Sequence, residues 1–127
     1  MNLAKIVNFA DMLGHTIVEV NSADSDVVVF QMENGQECRL YHEQDCCESV
    51  SVESVNGTYD DLIGSPLTFV DEETSNENPP DTDKPTYQDD SFTWTTYTLT
   101  TAKGTVRIRW YGESNGYYSE DVYFAVR

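Results

Sequence analysis

Basic residues are scarce in this sequence. Seven Lys and Arg stand against 23 Asp and Glu, which gives the 127-residue chain a formal net charge of −16. A surplus of carboxylates this large repels phosphate backbones and anionic membrane surfaces. We therefore expect no direct binding to nucleic acid or to membranes, and a basic protein surface as the partner if the charge is functional. The alternative is that the acidity only keeps the protein soluble.

Long apolar runs are lacking as well. No segment approaches the roughly 18 apolar residues that span a bilayer, and the N-terminal stretch MNLAKIVNFADMLGHTI has neither the apolar centre nor the cleavage site of a secretory signal. Cysteines number three, two of them adjacent, which does not suit the paired framework of a secreted domain. The sequence predicts a cytoplasmic protein with reduced thiols.

Strand patterns fill most of the remaining chain. VVVFQM (27–32) and ECRLY (37–41) flank Asn34-Gly35, a pair typical of a tight hairpin turn. Towards the end, three further alternating runs between residues 92 and 127 predict an antiparallel meander. We expect a β-rich α+β domain of about seven or eight antiparallel strands with one or two short helices, its sheet curled or folded into a sandwich or barrel-like form. The expected core includes Phe30, Leu40, Val50, Trp94, Trp110 and Phe124.

One polar stretch interrupts this pattern. Residues 71–91, DEETSNENPPDTDKPTYQDDS, contain three of the four prolines and are rich in acids. Because strand patterns lie on both sides of it, the stretch is predicted to be a flexible acidic loop within one domain spanning residues 1–127.

The segment HEQDCCE (42–48) crowds metal-binding and nucleophilic residue types together. Cys38, His42, Cys46 and Cys47 would be the ligands of a metal, zinc by ligand type. Their spacing, C-x3-H-x3-C-C, lacks the paired C-x2-C of structural zinc sites. A Cys–His nucleophile is disfavoured because the neighbouring carboxylates favour the neutral thiol. We expect no catalytic residue and no cofactor here, with the cysteines buried in the core and the acids exposed, and zinc as the alternative.

Two of the few basic residues stand on one strand face. Arg107, Arg109 and Tyr111 alternate with the apolar residues of TVRIRWYG, so they share the face opposite to the core. Such a set is able to bind an anionic or planar ligand. The alternative is that the arginines neutralise neighbouring acids such as Glu120 across the sheet.

A turn rich in tyrosine follows the same strand. WYGESNGYYS (110–119) combines rigid aromatic side chains with small polar ones, a composition found in binding loops. Together with exposed acids, it is the predicted partner-binding surface. The residues assigned to that surface are Asp60, Asp61, Asp89, Asp90, Glu113, Tyr117, Tyr118, Glu120 and Asp121.

Several stretches, LYHEQDCCESV, DLIGSP, SFTWTTY and KGTVRIRWYGESNGYYS, resemble an uncharacterised family from bacteriophage and prophage genomes, known only as a domain of unknown function. The likeness runs from about Leu13 to Phe124, outside the acidic stretch. The resemblance implies a genomic setting and no chemistry. Small acidic phage proteins of this kind often bind a host protein, and some imitate the charge of DNA.

The sequence therefore favours a protein without catalysis over an enzyme. The leading hypothesis is a phage protein that binds a basic host protein in the bacterial cytoplasm and inhibits a nucleic-acid-handling defence system, as an anti-CRISPR protein does, by DNA mimicry. The alternatives are a small-ligand or metal-binding module and a component of the virion or its assembly. The oligomeric state is not set by the sequence, and a dimer is compatible with it.

Overall fold

The computed structural model describes residues 5–77 and 91–127. Eight β-strands and two 3-10 helices account for most of this part. Their bounds are η1 Phe9–Met12, β1 Ile17–Asn21, β2 Val27–Met32, β3 Glu37–Tyr41, β4 Ser49–Asn56, η2 Tyr59–Leu62, β5 Phe69–Ser75, β6 Ser91–Thr101, β7 Gly104–Ser114 and β8 Tyr123–Val126.

The predicted strand content is confirmed, but the α+β class is wrong for the described residues. Both helices are 3-10 turns of four residues, and no α-helix occurs in the described ranges. Segments this short cannot repay the cost of nucleating an α-helix. Gly14 and Gly64 follow the two turns with φ of 88° and 87°, conformations that end a helix and that glycine adopts without strain.

The strands form two separate antiparallel sheets of four strands. The first sheet has the order β1-β2-β3-β8, and the second has the order β4-β7-β6-β5. The hairpin at Asn34-Gly35 joins β2 to β3 as predicted, with Gly35 at φ 88°. The predicted meander is only half right, because β6 pairs with β7 whereas β8 pairs with β3 in the other sheet. The sheets do not close into a barrel.

One hydrophobic core lies between the sheets. Phe30 and Leu40 of the first sheet and Ile108 and Trp110 of the second belong to the same cluster and are 0% exposed. Alternation along β7 buries Val106, Ile108 and Trp110, as predicted. Of the other expected core residues, Val50 is buried in this cluster and Phe124 packs against it partly buried. Trp94 is buried but lies outside the cluster.

The β6–β7 hairpin gives the second sheet two distinct ends. Both strands have 11 residues, which at strand geometry separates the ends by roughly 35 Å. Thr101 and Gly104 pair at the turn, which we call the hairpin end. Ser91 and Ser114 pair at the other end, next to Ser49 of β4 and the segment 115–121, and we call this the Tyr117 end.

The acidic stretch is partly strand. Residues 71–75 belong to β5, an edge strand of the second sheet. Asp71, Glu72 and Glu73 are all exposed on it, and charges on an edge strand oppose pairing with another sheet. Residues 78–90 of the loop predicted over 71–91 lie outside the described residues, and Asp89 and Asp90 are among them.

No helix within residues 5–77 and 91–127 is long and apolar enough to cross a bilayer.

Candidate functional site

The segment 42–48 folds around one carboxylate. The Glu48 side chain is 0% exposed and accepts hydrogen bonds of 2.9 Å from His42 Nε2 and from the backbone N–H groups of Asp45 and Cys46. Gln44 Nε2 donates to the same carboxylate at 3.2 Å and to the Glu48 carbonyl at 2.6 Å. Burial raises the pKa of Glu48, but the bonds from His42, Cys46 and Asp45 outweigh it and hold the pKa at about 2.

His42 connects this loop to the last strand. Its side chain is 1% exposed, its Nδ1 lies 2.7 Å from the Asp121 carbonyl oxygen, and its ring stacks on Tyr123 with centroids 5.9 Å apart. Both ring nitrogens thus lie within hydrogen-bond distance of oxygen atoms. A ring engaged in this way connects the loop 42–48 to the last strand.

The cysteines differ from the prediction in two of three cases. Cys38 is buried, as expected, and burial raises its pKa to about 11. Cys46 and Cys47 are exposed rather than buried, and their sulfurs are joined in a disulfide. They project from the loop because its polar backbone turns inward to Glu48, which leaves the two side chains facing solvent.

The predicted metal ligands do not meet. Cys38 lies in the core, His42 is held by Glu48 and Asp121, and Cys46 is bonded to Cys47. Across residues 5–77 and 91–127, no three His, Cys, Asp or Glu side chains come together in a way that would hold a metal ion. The structure thus does not bring the four proposed ligands together.

The arginine face is a shallow groove on the outside of the second sheet. Its volume is about 520 Å³, and its floor is the β6 row of Trp94, Thr96 and Thr98. Asp71 and Glu73 of β5 line one wall and the β7 arginines line the other. The carboxylates on β5 and the guanidinium groups on β7 thus lie on opposite sides of the groove, separated by two strand spacings, or about 10 Å.

The three residues of the predicted ligand site, Arg107, Arg109 and Tyr111, have unequal roles, and only the two arginines line the groove. Arg109 Nε and Nη2 donate to Glu53 Oε1 at 3.2 and 3.0 Å, and its guanidinium lies 5.2 Å from the centre of the Trp94 ring. This cover explains why Trp94 is buried on the outer face. Tyr111 is 6% exposed, packed at 4.6 Å on Trp94. Arg107 is the exposed member of the three, and the acid that pairs with Arg109 is Glu53 rather than Glu120.

The predicted partner surface divides between the two ends of the sheet. Asp60 and Asp61 lie at the hairpin end, where Thr101 Oγ1 donates to the Asp61 carbonyl and Lys103 Nζ donates to the Ile63 carbonyl. The remaining described members lie at the Tyr117 end, roughly 35 Å away by strand geometry. These members are Glu113, Tyr117, Tyr118, Glu120 and Asp121.

Among the residues that the structure describes, Tyr117 is the most exposed of the large hydrophobic side chains at 88%, and Asp121 is exposed as well. A groove formed by Glu43, Asp45, Ser119 and Tyr123, with Gln44 and Glu48, joins the loop 42–48 to the same end.

Glu120 is the exception at this end, because it is 7% exposed. Its oxygens accept hydrogen bonds from Thr93 Oγ1 at 2.8 Å and Ser114 Oγ at 2.5 Å, and Ser114 Oγ accepts one from Gly116 N–H at 3.0 Å. A Cβ on Gly112 would lie 2.9 Å from the Glu120 carbonyl, so glycine is needed where the segment crosses β7. Glu120 therefore fixes the turn in place and is not part of its exposed surface.

Sequence reasoning missed the roles of Glu48, Glu53 and Glu120. Each is one of 23 acids, and nothing in its immediate neighbours distinguishes it. The one available signal was the alternation in SVSVESV, which places Glu53 on the polar face of β4. A bulge between Val52 and Ser54 shifts the register there, so Arg109 could not be assigned as its partner in advance.

Comparison with known families adds one match. A family model described as "Domain of unknown function (DUF7448)" matches residues 10–124. No curated protein and no solved structure matches the chain.

Proposed function

The chain belongs to the DUF7448 family, and we propose that it is a non-catalytic protein that binds a basic surface of another protein through its Tyr117 end. We further propose that the chain is phage or prophage encoded, and that the partner is a nucleic-acid-handling defence protein of the bacterial cytoplasm, inhibited through DNA mimicry. The family description carries no activity, so the proposal is supported by the geometry, the charge and the resemblance described above.

The observation that carries the proposal is the exposure of Tyr117. An 88% exposed tyrosine presents apolar area with few rotatable bonds, and tyrosine is enriched among the residues that dominate binding energy. Exposed carboxylates of Glu43, Asp45 and Asp121 lie at the same end. An aromatic side chain among acids suits a basic protein groove better than an apolar one.

The turn that carries Tyr117 is held before any partner arrives. Ser114 and Thr93 bind the buried Glu120 carboxylate, and Tyr117 N–H donates to Asn115 Oδ1 at 3.0 Å. Ordering a loop on binding costs free energy, and a loop that is already ordered avoids this cost.

Charge supports the proposal as a long-range effect. The net charge of −16 already counts every Lys and Arg, and Arg39 and Arg109 are paired with Glu37 and Glu53. A field of one sign speeds the approach of an oppositely charged partner, and salt weakens it.

Affinity capture from bacterial lysate, with quantitative identification of the retained proteins, tests the proposal. The binding variant is Glu43→Gln with Asp121→Asn, and the matched control is Asp60→Asn with Asp61→Asn. Each changes the net charge from −16 by 2 to −14, but at opposite ends of the sheet. We expect a basic protein that the wild type and the control retain and that the binding variant loses.

The captured partner is then purified for titration. Tyr117→Ala should weaken its affinity by about 30-fold, the loss typical of a dominant interface residue, and high salt should weaken it further. Equal losses of affinity in the two charge variants would show that the net charge acts without a defined binding surface. An affinity insensitive to salt would contradict charge mimicry.

The arginine groove supports a second candidate, binding of a small anionic ligand. Arg107 is exposed, and together with Trp94 and Arg109 it lines a groove of about 520 Å³. A rise in Tm on addition of mononucleotides would favour this candidate if the Arg107→Ala variant does not show it. No shift across a panel of mononucleotides and inorganic phosphate would remove it.

A further inference from the structure

The Cys46–Cys47 disulfide is the feature that the proposed function leaves unused. Both residues are exposed, and they are adjacent in the chain with Cα atoms 3.7 Å apart. The third cysteine, Cys38, is buried in the core, so it is not placed to exchange with them. A thiol–disulfide exchange depends on access to the sulfur atoms, and this pair has it.

The peptide units around the pair are the ones that bind Glu48. Cys46 N–H and Asp45 N–H each donate to the Glu48 carboxylate at 2.9 Å, and Gln44 Nε2 reaches the carbonyls of Cys46 and Glu48 at 3.4 and 2.6 Å. A bond between adjacent cysteines closes a ring that contains their shared peptide unit, so the backbone torsions of the ring are restricted. Opening the ring frees these torsions next to the two amide donors.

Glu48 transmits the state of the loop to the Tyr117 end. It holds His42 Nε2, and His42 Nδ1 holds the carbonyl of Asp121. Gln44 and Asp45 share a groove with Ser119 and Tyr123. A continuous set of contacts therefore connects the backbone at Cys46 to the segment 119–123.

We propose that Cys46 and Cys47 form a reversible redox site whose oxidised state fixes the loop 42–48 around Glu48 and whose reduced state loosens it. In the reduction, a thiolate of a dithiol reductant attacks one sulfur of the pair and forms a mixed disulfide. The second thiol of the reductant then releases the protein as a dithiol. Two electrons and two protons pass to Cys46 and Cys47, and the reductant becomes a cyclic disulfide.

The first test counts thiols in the full chain purified in air. Alkylation of the unfolded protein, measured by mass spectrometry, should modify Cys38 alone. After treatment of the folded protein with dithiothreitol, native alkylation should modify Cys46 and Cys47 and leave Cys38 unmodified. Three alkylated cysteines in the air-exposed sample would overturn the proposal, since no disulfide would then be present.

The second test measures amide hydrogen exchange residue by residue by NMR. Reduction should speed exchange at Asp45 and Cys46 by about tenfold or more, as expected when local opening becomes easier, whereas amides in the centre of β7 should not change. Cys46→Ser with Cys47→Ser should exchange at the faster rate with and without dithiothreitol, and Cys38→Ser should respond as the wild type does. Unchanged exchange at Asp45 and Cys46 on reduction of the wild type would overturn the coupling.

Discussion

Replacing Ser114 by alanine should destabilise the protein through a single buried contact. Ser114 is 8% exposed and its hydroxyl donates to Glu120 Oε2 at 2.5 Å. A hydrogen bond to a charged group contributes about 1.5–3 kcal/mol, and water does not replace it where both groups are buried. The hydroxyl also accepts a hydrogen bond from Gly116 N–H. Losing this bond adds little to the loss of stability, because Gly116 is exposed and its N–H can bind water instead.

The resulting loss can be measured by thermal unfolding. For a chain of 127 residues, each kcal/mol corresponds to about 4 °C in Tm, so Ser114→Ala should lower Tm by about 6–12 °C. Ser49→Ala is the matched control, because Ser49 is exposed on β4 at the same end, and such changes usually stay within about 0.5 kcal/mol.

A second variant tests the carboxylate as the shared acceptor. Thr93→Val removes the 2.8 Å bond to Glu120 Oε1 with little change in shape. Because both hydroxyls serve one carboxylate, the double variant with Ser114→Ala should not show the sum of the single losses. If Ser114→Ala is as stable as Ser49→Ala, or if the two losses add, Glu120 is not the group that holds the turn.

Three further outcomes are expected. The hydrogen bonds that depress the pKa of Glu48 to about 2 stabilise the fold above the unfolded value near 4.5 and are lost as pH falls through the folded value. The Tm difference between wild type and Glu48→Gln should therefore shrink as pH falls from about 4.5 to 2; a difference that stays constant over this range would contradict this. Gly112→Ala should cost about 1–3 kcal/mol by forcing a Cβ against the Glu120 carbonyl, and a crystal structure with residues 119–121 unmoved would refute it. Leu99→Ala, at a fully buried site, should lower the free energy of unfolding in urea by about 2–5 kcal/mol, and a smaller loss would show that the core collapses around the gap.

Local patterns in the sequence determined the strands and several of their faces. Asn34-Gly35 specified the β2–β3 hairpin because Gly35 takes a left-handed conformation at no cost, and alternation placed Ile108 in the core and Arg107 outside. These features depend on neighbours a few residues apart, and the sequence displays such neighbours directly.

The sequence did not determine which strands meet. The alternation in EDVYFAVR predicts a strand but names no partner, and β8 crosses to the first sheet, where Leu40 pairs with Phe124. Tryptophan is a residue type expected in the core, yet Trp94 is buried on the outer face of the second sheet because Arg109 covers it.

The candidate sites also depended on the tertiary structure, because their contacts join residues that are far apart in the sequence. An acid is indistinguishable from 22 others until its donors are known, and the donors come from far along the chain: Thr93 reaches Glu120 across 27 positions and Arg109 reaches Glu53 across 56. Burial of a carboxylate requires such donors, so Glu48 and Glu120 became structural while Asp121 stayed exposed. Composition set the net charge of the surface, and the fold alone decided which charges remain on it.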